Sequence, residues 1–308
     1  MIKVFIDGSS GTTGLRINER LSEREDIELI KIPEQHRKDD HARKQAIEIS
    51  DITFLCLPDD AARQAVEMAK DSDTIIIDTS TAHRTNPEFA YGFCELGTSF
   101  FDKIRNSKRI SVPGCHASGF IALVYPLVEH GLISADTLLT CTSITGYSGG
   151  GKKMIAEYTS DDRSTLLSSP RLYGIGQTHK HLKEMTCITG LESAPVFLPI
   201  VSDFYSGMEV TVPLFASQLR GGVEDIIKLY SNMYTGPVVR YVKQMDENGF
   251  MASNAMSGRD SMQITVSGNG ERILLIAGYD NLGKGASGAA IECLNIVTGT
   301  EITKGLVL

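Results

Sequence analysis

Short apolar runs alternate with amphipathic stretches through the first third of the chain. Residues 3–6 read as a strand, and a glycine-rich turn leads into a helix over 13–22 with Leu15 and Leu21 on its inner side. The same pattern predicts strands over 27–32, 51–57 and 74–78, with helices over 41–48 and 61–70 between them. The runs TFLCL and DTIIID are continuously apolar, which suits a parallel sheet covered on both faces. βα units of this length predict a Rossmann-like, doubly wound α/β fold.

Beyond Cys115 the pattern changes. A helix is predicted over 120–130. Strands are predicted over 137–145, 192–199, 208–215, 237–242, 261–267 and 272–279, several of them alternating apolar and polar positions. Helices intervene near 179–187 and 223–234, while 148–153 and 160–169 read as surface loops. This predicts a mixed, largely antiparallel sheet with helices on one face, an α+β domain for catalysis and oligomerisation. A last helix over 285–298 is expected to return to the first domain. The expected division is therefore 1–115 with 285–308 as one domain and 116–284 as the other.

A length of 308 residues suits two packed domains better than one core. The net charge of −8 argues against nonspecific nucleic-acid binding, which needs a basic surface, so nucleic acid is not an expected partner. No run of about 18 uncharged apolar residues suggests a membrane span. The start, MIKVFIDGSSGTTG, goes straight into a strand without the features of a signal peptide, so a cytoplasmic enzyme is the expectation. The six cysteines form no CxxC pair and no zinc-ligand spacing, so neither disulfides nor a metal site is expected. Cys56 and Cys141 lie inside strand-like runs and read as core.

Three segments carry chemistry. Gly8, Gly11 and Gly14 form GSSGTTG between the first strand and the first helix, with Ser10, Thr12 and Thr13 among them. Backbone N–H groups at such a helix start make an anion site suited to a pyrophosphate. After the second strand Arg37 and Lys38 can meet a 2′-phosphate, which favours NADP(H); Glu34 stands close by. Pro58 falls at a strand end bordering the cofactor cleft. The second segment, SVPGCHASG, turns at Pro-Gly and sets Cys115 near a helix start, where a thiolate is favoured. An unreactive turn cysteine is the alternative, and the segment alone leaves the two even. The third, THKHLKEM, offers His179 and His181, with Thr178 as N-cap and both histidines in the first helical turn. On a helix only one of them would face Cys115, whereas in an extended segment the two would share a side.

Together the motifs GSSGTTG, FLCLPDD (54–60), DTSTAHR (78–84), VPGCHASG (112–119), GYSGGGKK (146–153), HKH (179–181) and DNLGKGASGAA (280–290) occur in an order that covers nearly the whole chain. In these the chain resembles the short-form N-acetyl-γ-glutamyl-phosphate reductases of arginine biosynthesis, within the aspartate-semialdehyde dehydrogenase superfamily. The resemblance implies that Cys115 attacks a small-molecule acyl phosphate, expels phosphate and is left as a thioester, which NADPH reduces to the semialdehyde. It further implies His181 as general acid/base with His179 second, and Arg84 on the substrate phosphate. Ser148 and Gly149 would lie near substrate, with Asn281 and residues 283–285 along the cofactor cleft. A homodimer or homotetramer is the expected assembly. His116 after the cysteine, His83 before Arg84 and Leu182-Lys183 after HKH depart from the family's commoner pattern. An aspartate-semialdehyde dehydrogenase, a carrier-protein-dependent acyl-phosphate reductase and, from another class, a non-catalytic nucleotide-binding protein are the competing readings.

Overall fold

The computed structural model describes residues 1–308. The chain divides into two compact units. One comprises 1–94, 98–113 and 286–306; the other comprises 95–97, 114–285 and 307–308.

The first unit is built on a six-stranded, all-parallel sheet. Its strands are β1 (Ile2–Asp7), β2 (Ile27–Ile30), β3 (Ile52–Leu55), β4 (Ile75–Asp78), β5 (Ala90–Tyr91) and β6 (Arg109–Ser111). They lie in the order β2-β1-β3-β4-β6-β5. The helices are α1 (Thr12–Ser22), α2 (Asp40–Glu48), α3 (Asp59–Met68) and α4 (Thr98–Asn106). Alternate strand residues enter different cores, because successive side chains of a strand point to opposite faces. Val4, Ile6 and Phe54 pack with Ile17 and Leu21 of α1, whereas Phe5, Leu55 and Ile76 pack with Ala46, Ile47, Ala62 and Ala65 of α2 and α3. Both faces are thereby covered, as the continuous apolar runs require.

The second unit opens with α5 (Cys115–Glu129) and contains β7 (Thr140–Gly146), α6 (Gly151–Thr159), β8 (Arg171–Leu172), α7 (His181–Thr189), β9 (Val196–Ser202), β10 (Met208–Phe215), α8 (Val223–Met233), β11 (Val239–Tyr241), β12 (Met262–Gly268) and β13 (Arg272–Tyr279). These strands form a seven-stranded mixed sheet ordered β11-β12-β13-β10-β7-β9-β8. Only β11–β12 and β7–β9 run parallel. A π-helical turn over Gly283–Ser287 leads into the last helix, α9 (Gly288–Thr298). Ala289, Ile291 and Leu294 of α9 join the core that lies under β1 and α1.

The helix α5 is nearly all buried, with Ala117, Phe120, Ile121, Leu123, Val124 and Leu127 fully so. Pro126 inside it lacks an N–H, which deprives the Ala122 carbonyl of its helical donor. The Tyr234 hydroxyl donates to that carbonyl at 2.6 Å, and the Tyr230 hydroxyl donates to the neighbouring Leu123 carbonyl. A buried helix interrupted by proline is thus kept satisfied by two tyrosines.

Several local expectations change. Leu15 is 44% exposed, because the buried stripe of α1 runs through Gly14, Ile17 and Leu21 and leaves Leu15 off it. Residues 148–153 are not simply a loop. A 3-10 turn over Tyr147–Gly150 passes into α6, since helix-forming residues resume right after the glycines and bury Tyr158. The helix α5 starts at Cys115, five residues earlier than the apolar run implies. The strands β5 and β6, two and three residues long, are too short to show a period, and the nine-residue α4 was not among the elements read from the sequence. No helix is long and apolar enough to cross a membrane.

Candidate active site

In the first unit the loop between β1 and α1 works as the sequence predicts a tight turn must. Gly8 has φ +88°, and a Cβ there would stand 2.3 Å from the Cys56 carbonyl oxygen. A Cβ on Gly14 would stand 2.4 Å from the Gly8 carbonyl oxygen. Gly11 is the N-cap of α1, donates its N–H to the Gly8 carbonyl and has no side chain to cap the helix. The first N–H groups of α1, at Thr12 and Thr13, therefore begin a helix whose end is left to a ligand or solvent.

A cavity of about 680 Å³ opens beside this turn, lined among others by Gly8, Ser10, Leu15, Arg37, Lys38 and Arg43. Arg37 bridges Glu34 (2.8 Å) and the Ser10 hydroxyl (3.2 Å). The pairing with Glu34 satisfies the basic residue without removing it from the cavity wall. Sequence reasoning missed Arg43. Its guanidinium, 6% exposed, donates Nε–H to Asp7 at the end of β1 (3.0 Å) and Nη1–H to Asp40 (3.1 Å). Burial pushes the Asp7 carboxyl up and Arg43 opposes that shift. A charge at the end of β1 and an arginine on α2 were visible in the sequence, but their pairing needs the fold. Pro58 serves as N-cap of α3, while its neighbour Leu57 lines the cavity.

Arg84 is buried in the same unit. Its Nε donates to the Val112 carbonyl (2.9 Å) and its Nη2 to the Thr79 carbonyl (2.9 Å). Two donors of the fork thus hold main chain, including the residue just ahead of Pro113-Gly114-Cys115. Asp78 accepts from the Ser80 N–H and hydroxyl and lies 2.6 Å from His83 Nδ1, with the His83 ring stacked on Phe89. The DTSTAHR segment is a largely buried turn held by these contacts.

In the second unit Cys115 is the first residue of α5, half-buried, with Gly114 as N-cap. None of the six cysteines is in a disulfide. Burial pushes the Cys56 thiol up to about 12 and raises that of Cys141, which fits core thiols. The helix start at Cys115 is held from three sides. Glu184, 2% exposed on α7, accepts the Gly114 N–H at 2.8 Å. The Tyr279 hydroxyl donates to the Cys115 carbonyl (2.5 Å) and accepts from the Gly119 N–H (3.0 Å). Gly285 leaves room that a Cβ would close, because that atom would stand 3.0 Å from Cys115 Cβ. Glu184 and Tyr279 were not singled out from sequence: Glu184 lies inside THKHLKEM, but the histidines drew the reading, and Tyr279 ends an apolar strand.

Cys115 opens on a cavity of about 160 Å³ with Thr145, Gly146, Gly149, Gly150, Tyr173 and His179 in its wall. Burial and the nearby Cys115 both push the Tyr173 phenol up. Thr178 is not the N-cap expected of it. The helix α7 starts at His181 with Lys180 as N-cap, so His179 lies outside the helix. The two histidines consequently do not diverge as they would within one helical turn: their rings meet edge to face at 4.7 Å. The His181 N–H donates to His179 Nδ1 (3.2 Å). Burial lowers the His179 pKa, so its ring is neutral near pH 7; with Nδ1 accepting, the proton sits on Nε2. His179 lines the cavity, and His181, 5% exposed, is packed behind it.

Ser148 and Asn281 are both buried. Asn281 Nδ2 donates to the Ser148 hydroxyl (3.0 Å), and its Oδ1 accepts the Gly207 N–H (3.0 Å). They brace the glycine turn, while Gly149 itself reaches the cavity wall. Asp280 beside them accepts from the Ser206 hydroxyl and the Leu282 N–H.

His116 is a residue whose setting the sequence did not disclose. It is 3% exposed, with Nδ1 2.6 Å from the Ser143 hydroxyl and Nε2 2.6 Å from the Tyr173 hydroxyl. His179, His181 and Phe197 surround its ring at 5.4–5.6 Å. Burial, aided by His179, pushes its pKa down to about 3. An unfolded chain takes up a proton here below about pH 6.5, whereas the folded chain does not. The contribution of neutral His116 is therefore complete above about 6.5 and is lost as pH falls toward about 3, at up to about 1.4 kcal/mol per pH unit. Urea unfolding at pH 7.0, 5.5 and 4.5 is expected to show this slope in the wild type and a shallower one in His116→Phe; parallel slopes would refute it.

Two family models match the chain: the NAD binding domain of semialdehyde dehydrogenase over residues 3–104 and the semialdehyde dehydrogenase dimerisation domain over 115–281. A protein of Sinorhizobium medicae named N-acetyl-gamma-glutamyl-phosphate reductase is 41% identical over 304 residues, covering 96% of this chain and 98% of its own. One of the same name from Brucella anthropi is 41% identical over 309 residues, covering 96% and 98%. Among solved structures, aspartate semialdehyde dehydrogenase II of Vibrio cholerae, complexed with ASA, superposes with a TM-score of 0.72 over 97% of this chain and 98% of its own at 15% identity. The Candida albicans aspartate semialdehyde dehydrogenase with NADP gives 0.66 over 98% and 99% at 16% identity. At such identities the structures speak for the fold, and the sequence matches speak for the lineage. This chain belongs to the semialdehyde dehydrogenase family, with the N-acetyl-gamma-glutamyl-phosphate reductases as its relatives.

Proposed function

We propose that the chain reduces N-acetyl-L-glutamyl 5-phosphate to N-acetyl-L-glutamate 5-semialdehyde with NADPH, in arginine biosynthesis, through a thioester on Cys115. The observation that carries the reading is Cys115 at the first position of a buried helix, opening on a small cavity shared with His179. The 41% identical relatives supply the substrate. The fold likeness to aspartate semialdehyde dehydrogenases, at 15% identity, does not favour the competing substrate.

The first unit's residues fit a dinucleotide. Gly8, Gly11 and Gly14 keep the turn open to a pyrophosphate at the start of α1, and Ser10, Thr12 and Thr13 flank it. Arg37 and Lys38 offer cations for a 2′-phosphate. Reduced nicotinamide, when bound, supplies the hydride.

The remaining steps belong to side chains. The Cys115 sulfur forms a bond to the acyl carbon, the carbon–oxygen bond to phosphate breaks, and inorganic phosphate leaves. Hydride addition to the thioester carbonyl carbon places a negative charge on its oxygen. His179, held with Nε2 protonated by the His181 N–H, is a donor for that oxygen. Collapse breaks the carbon–sulfur bond, releases the aldehyde and returns the thiolate. Before attack the Cys115 thiol gives its proton to His181, with His179 second, so that the sulfur enters and leaves the cycle as thiolate. Arg84, whose Nε and Nη2 hold the Val112 and Thr79 carbonyls, is the candidate for the substrate phosphate through the rest of its guanidinium fork. Ser148 acts by bracing Gly149.

We further read the chain as a cytoplasmic enzyme that works as a homodimer or homotetramer through its second unit, on a small-molecule substrate. The description of the matching family model as a dimerisation domain supports this.

The test is phosphate-dependent reduction of NADP by N-acetylglutamate semialdehyde, with aspartate semialdehyde as control. Turnover with the first substrate alone is expected; turnover with the second alone would overturn the reading. In the same assay Arg37→Ala is expected to raise KM for NADP roughly tenfold or more while changing KM for NAD little. Equal changes for both dinucleotides would remove the 2′-phosphate role.

A further inference from the structure

Nothing in attack, reduction or collapse accounts for the buried chain Ser143–His116–Tyr173. Its two contacts, both 2.6 Å, join β7, an inner strand of the mixed sheet, to the wall of the Cys115 cavity. A neutral imidazole has one donor and one acceptor nitrogen, so only two arrangements are open to it. In one, His116 Nδ1–H donates to Ser143 and the Tyr173 hydroxyl donates to Nε2. The Ser143 hydroxyl proton is then left without an acceptor, because Ser143 is fully buried and His116 is the side-chain partner its hydroxyl has. Such an orphaned donor is disfavoured in a protein interior. In the other, every proton has a place: Ser143 donates to Nδ1, Nε2–H donates to the Tyr173 oxygen, and the Tyr173 proton is free to turn into the cavity. A doubly protonated ring would leave the Ser143 proton orphaned again.

We propose that His116 is a positioning residue that fixes the polarity of this chain, so that Tyr173 presents its O–H to the oxygen of the carbonyl bound at Cys115. The Tyr173 role rests on the thioester reading given above; the polarity of the chain does not. Tyr173 and His179 then supply two donors to one developing oxyanion, an arrangement in which each donor strengthens as charge appears. Tyr173 alone, on a segment just past the two-residue strand β8, has little else to hold its hydroxyl. His116 can do so because it is anchored on the same helix start as the nucleophile.

Two measurements test this. Nitrogen-15 NMR of the wild type at pH 7 is expected to show His116 protonated at Nε2 and unprotonated at Nδ1, with the Nε2–H resonance shifting in Tyr173→Phe. An Nδ1–H ring or an imidazolium would overturn the proposal. In steady-state kinetics His116→Phe and Tyr173→Phe are each expected to lower kcat by roughly 10–100-fold with KM for the acyl phosphate nearly unchanged. The double variant should be no slower than Tyr173→Phe, and His116→Gln, which keeps a donor and an acceptor, should recover part of the loss. Additive losses in the double variant, or a loss confined to KM, would show that His116 does not act through Tyr173. Should the wild type fail to turn over the acyl phosphate, the catalytic reading falls, while the NMR result still decides the polarity.

Discussion

Cys115→Ser is expected to lower turnover in both directions by roughly three orders of magnitude or more, with the fold and NADP binding intact. The substitution exchanges one atom at the start of α5. The anchors of that helix start use backbone groups: the Gly114 N–H to Glu184 and the Cys115 carbonyl to Tyr279. They do not depend on the sulfur, so the variant should unfold at the same temperature as wild type. What it loses is the nucleophile. A serine hydroxyl is not ionised at neutral pH, and an oxygen ester accepts hydride less readily than a thioester. Steady-state rates with N-acetylglutamate semialdehyde, NADP and phosphate check this. Retention of a tenth of wild-type activity would be incompatible with covalent catalysis at this residue.

Gly8→Ala is expected to have the second largest effect, and for a different reason. The new Cβ would stand 2.3 Å from the Cys56 carbonyl oxygen, and φ +88° is a conformation that side-chain-bearing residues rarely adopt. The obstacle is backbone just past the end of β3, which cannot swing aside as a flexible side chain would. The turn must move or the sheet must open. The left-handed backbone alone costs about 1–2 kcal/mol, and the displaced contact adds a similar amount. A fall in thermal midpoint of several degrees is expected, together with a KM for NADP raised roughly 100-fold, because small displacements of a positioning loop are amplified in binding and rate. Acylation of Cys115 by the acyl phosphate needs no dinucleotide and should survive in the folded fraction. Thermal denaturation and NADP titration of the purified variant decide the matter; an unchanged KM would mean that this turn is not where the dinucleotide lies.

The parallel sheet was readable from the sequence because its signals are local and redundant. Runs such as DTIIID and TFLCL, with an amphipathic stretch after each, leave few other folds. The glycine turn was equally legible, since positions 8 and 14 tolerate no side chain for reasons confined to a few neighbouring atoms. The site in the second unit was legible only in part. Cys115 and His179 lie in short marked segments, but the helix start at Cys115 was hidden by its polar first turn, and Thr178 attracted a helix boundary that falls at Lys180. Glu184, Tyr279 and Arg43 act through pairings 36 to 164 residues apart in sequence, and no periodicity reports a contact of that range. His116 is the sharpest case. Adjacency to the cysteine did not indicate where its ring would go, and its place between Ser143 and Tyr173 follows from the packing of β7 and the segment after β8 against α5. Arg84 has a structural tie that its residue type did not announce. Its residue type suits phosphate, yet two of its donors hold main-chain carbonyls.

Trapping the acyl enzyme tests the covalent mechanism most directly. Wild-type protein mixed with N-acetylglutamyl phosphate in the absence of NADPH should release one equivalent of inorganic phosphate in a burst and gain the mass of one N-acetylglutamyl group. Peptide mapping should find that group on Cys115, and hydroxylamine or added NADPH should discharge it. Phosphate release without a mass gain, or an acyl group carried elsewhere with Cys115 unmodified, would contradict the account.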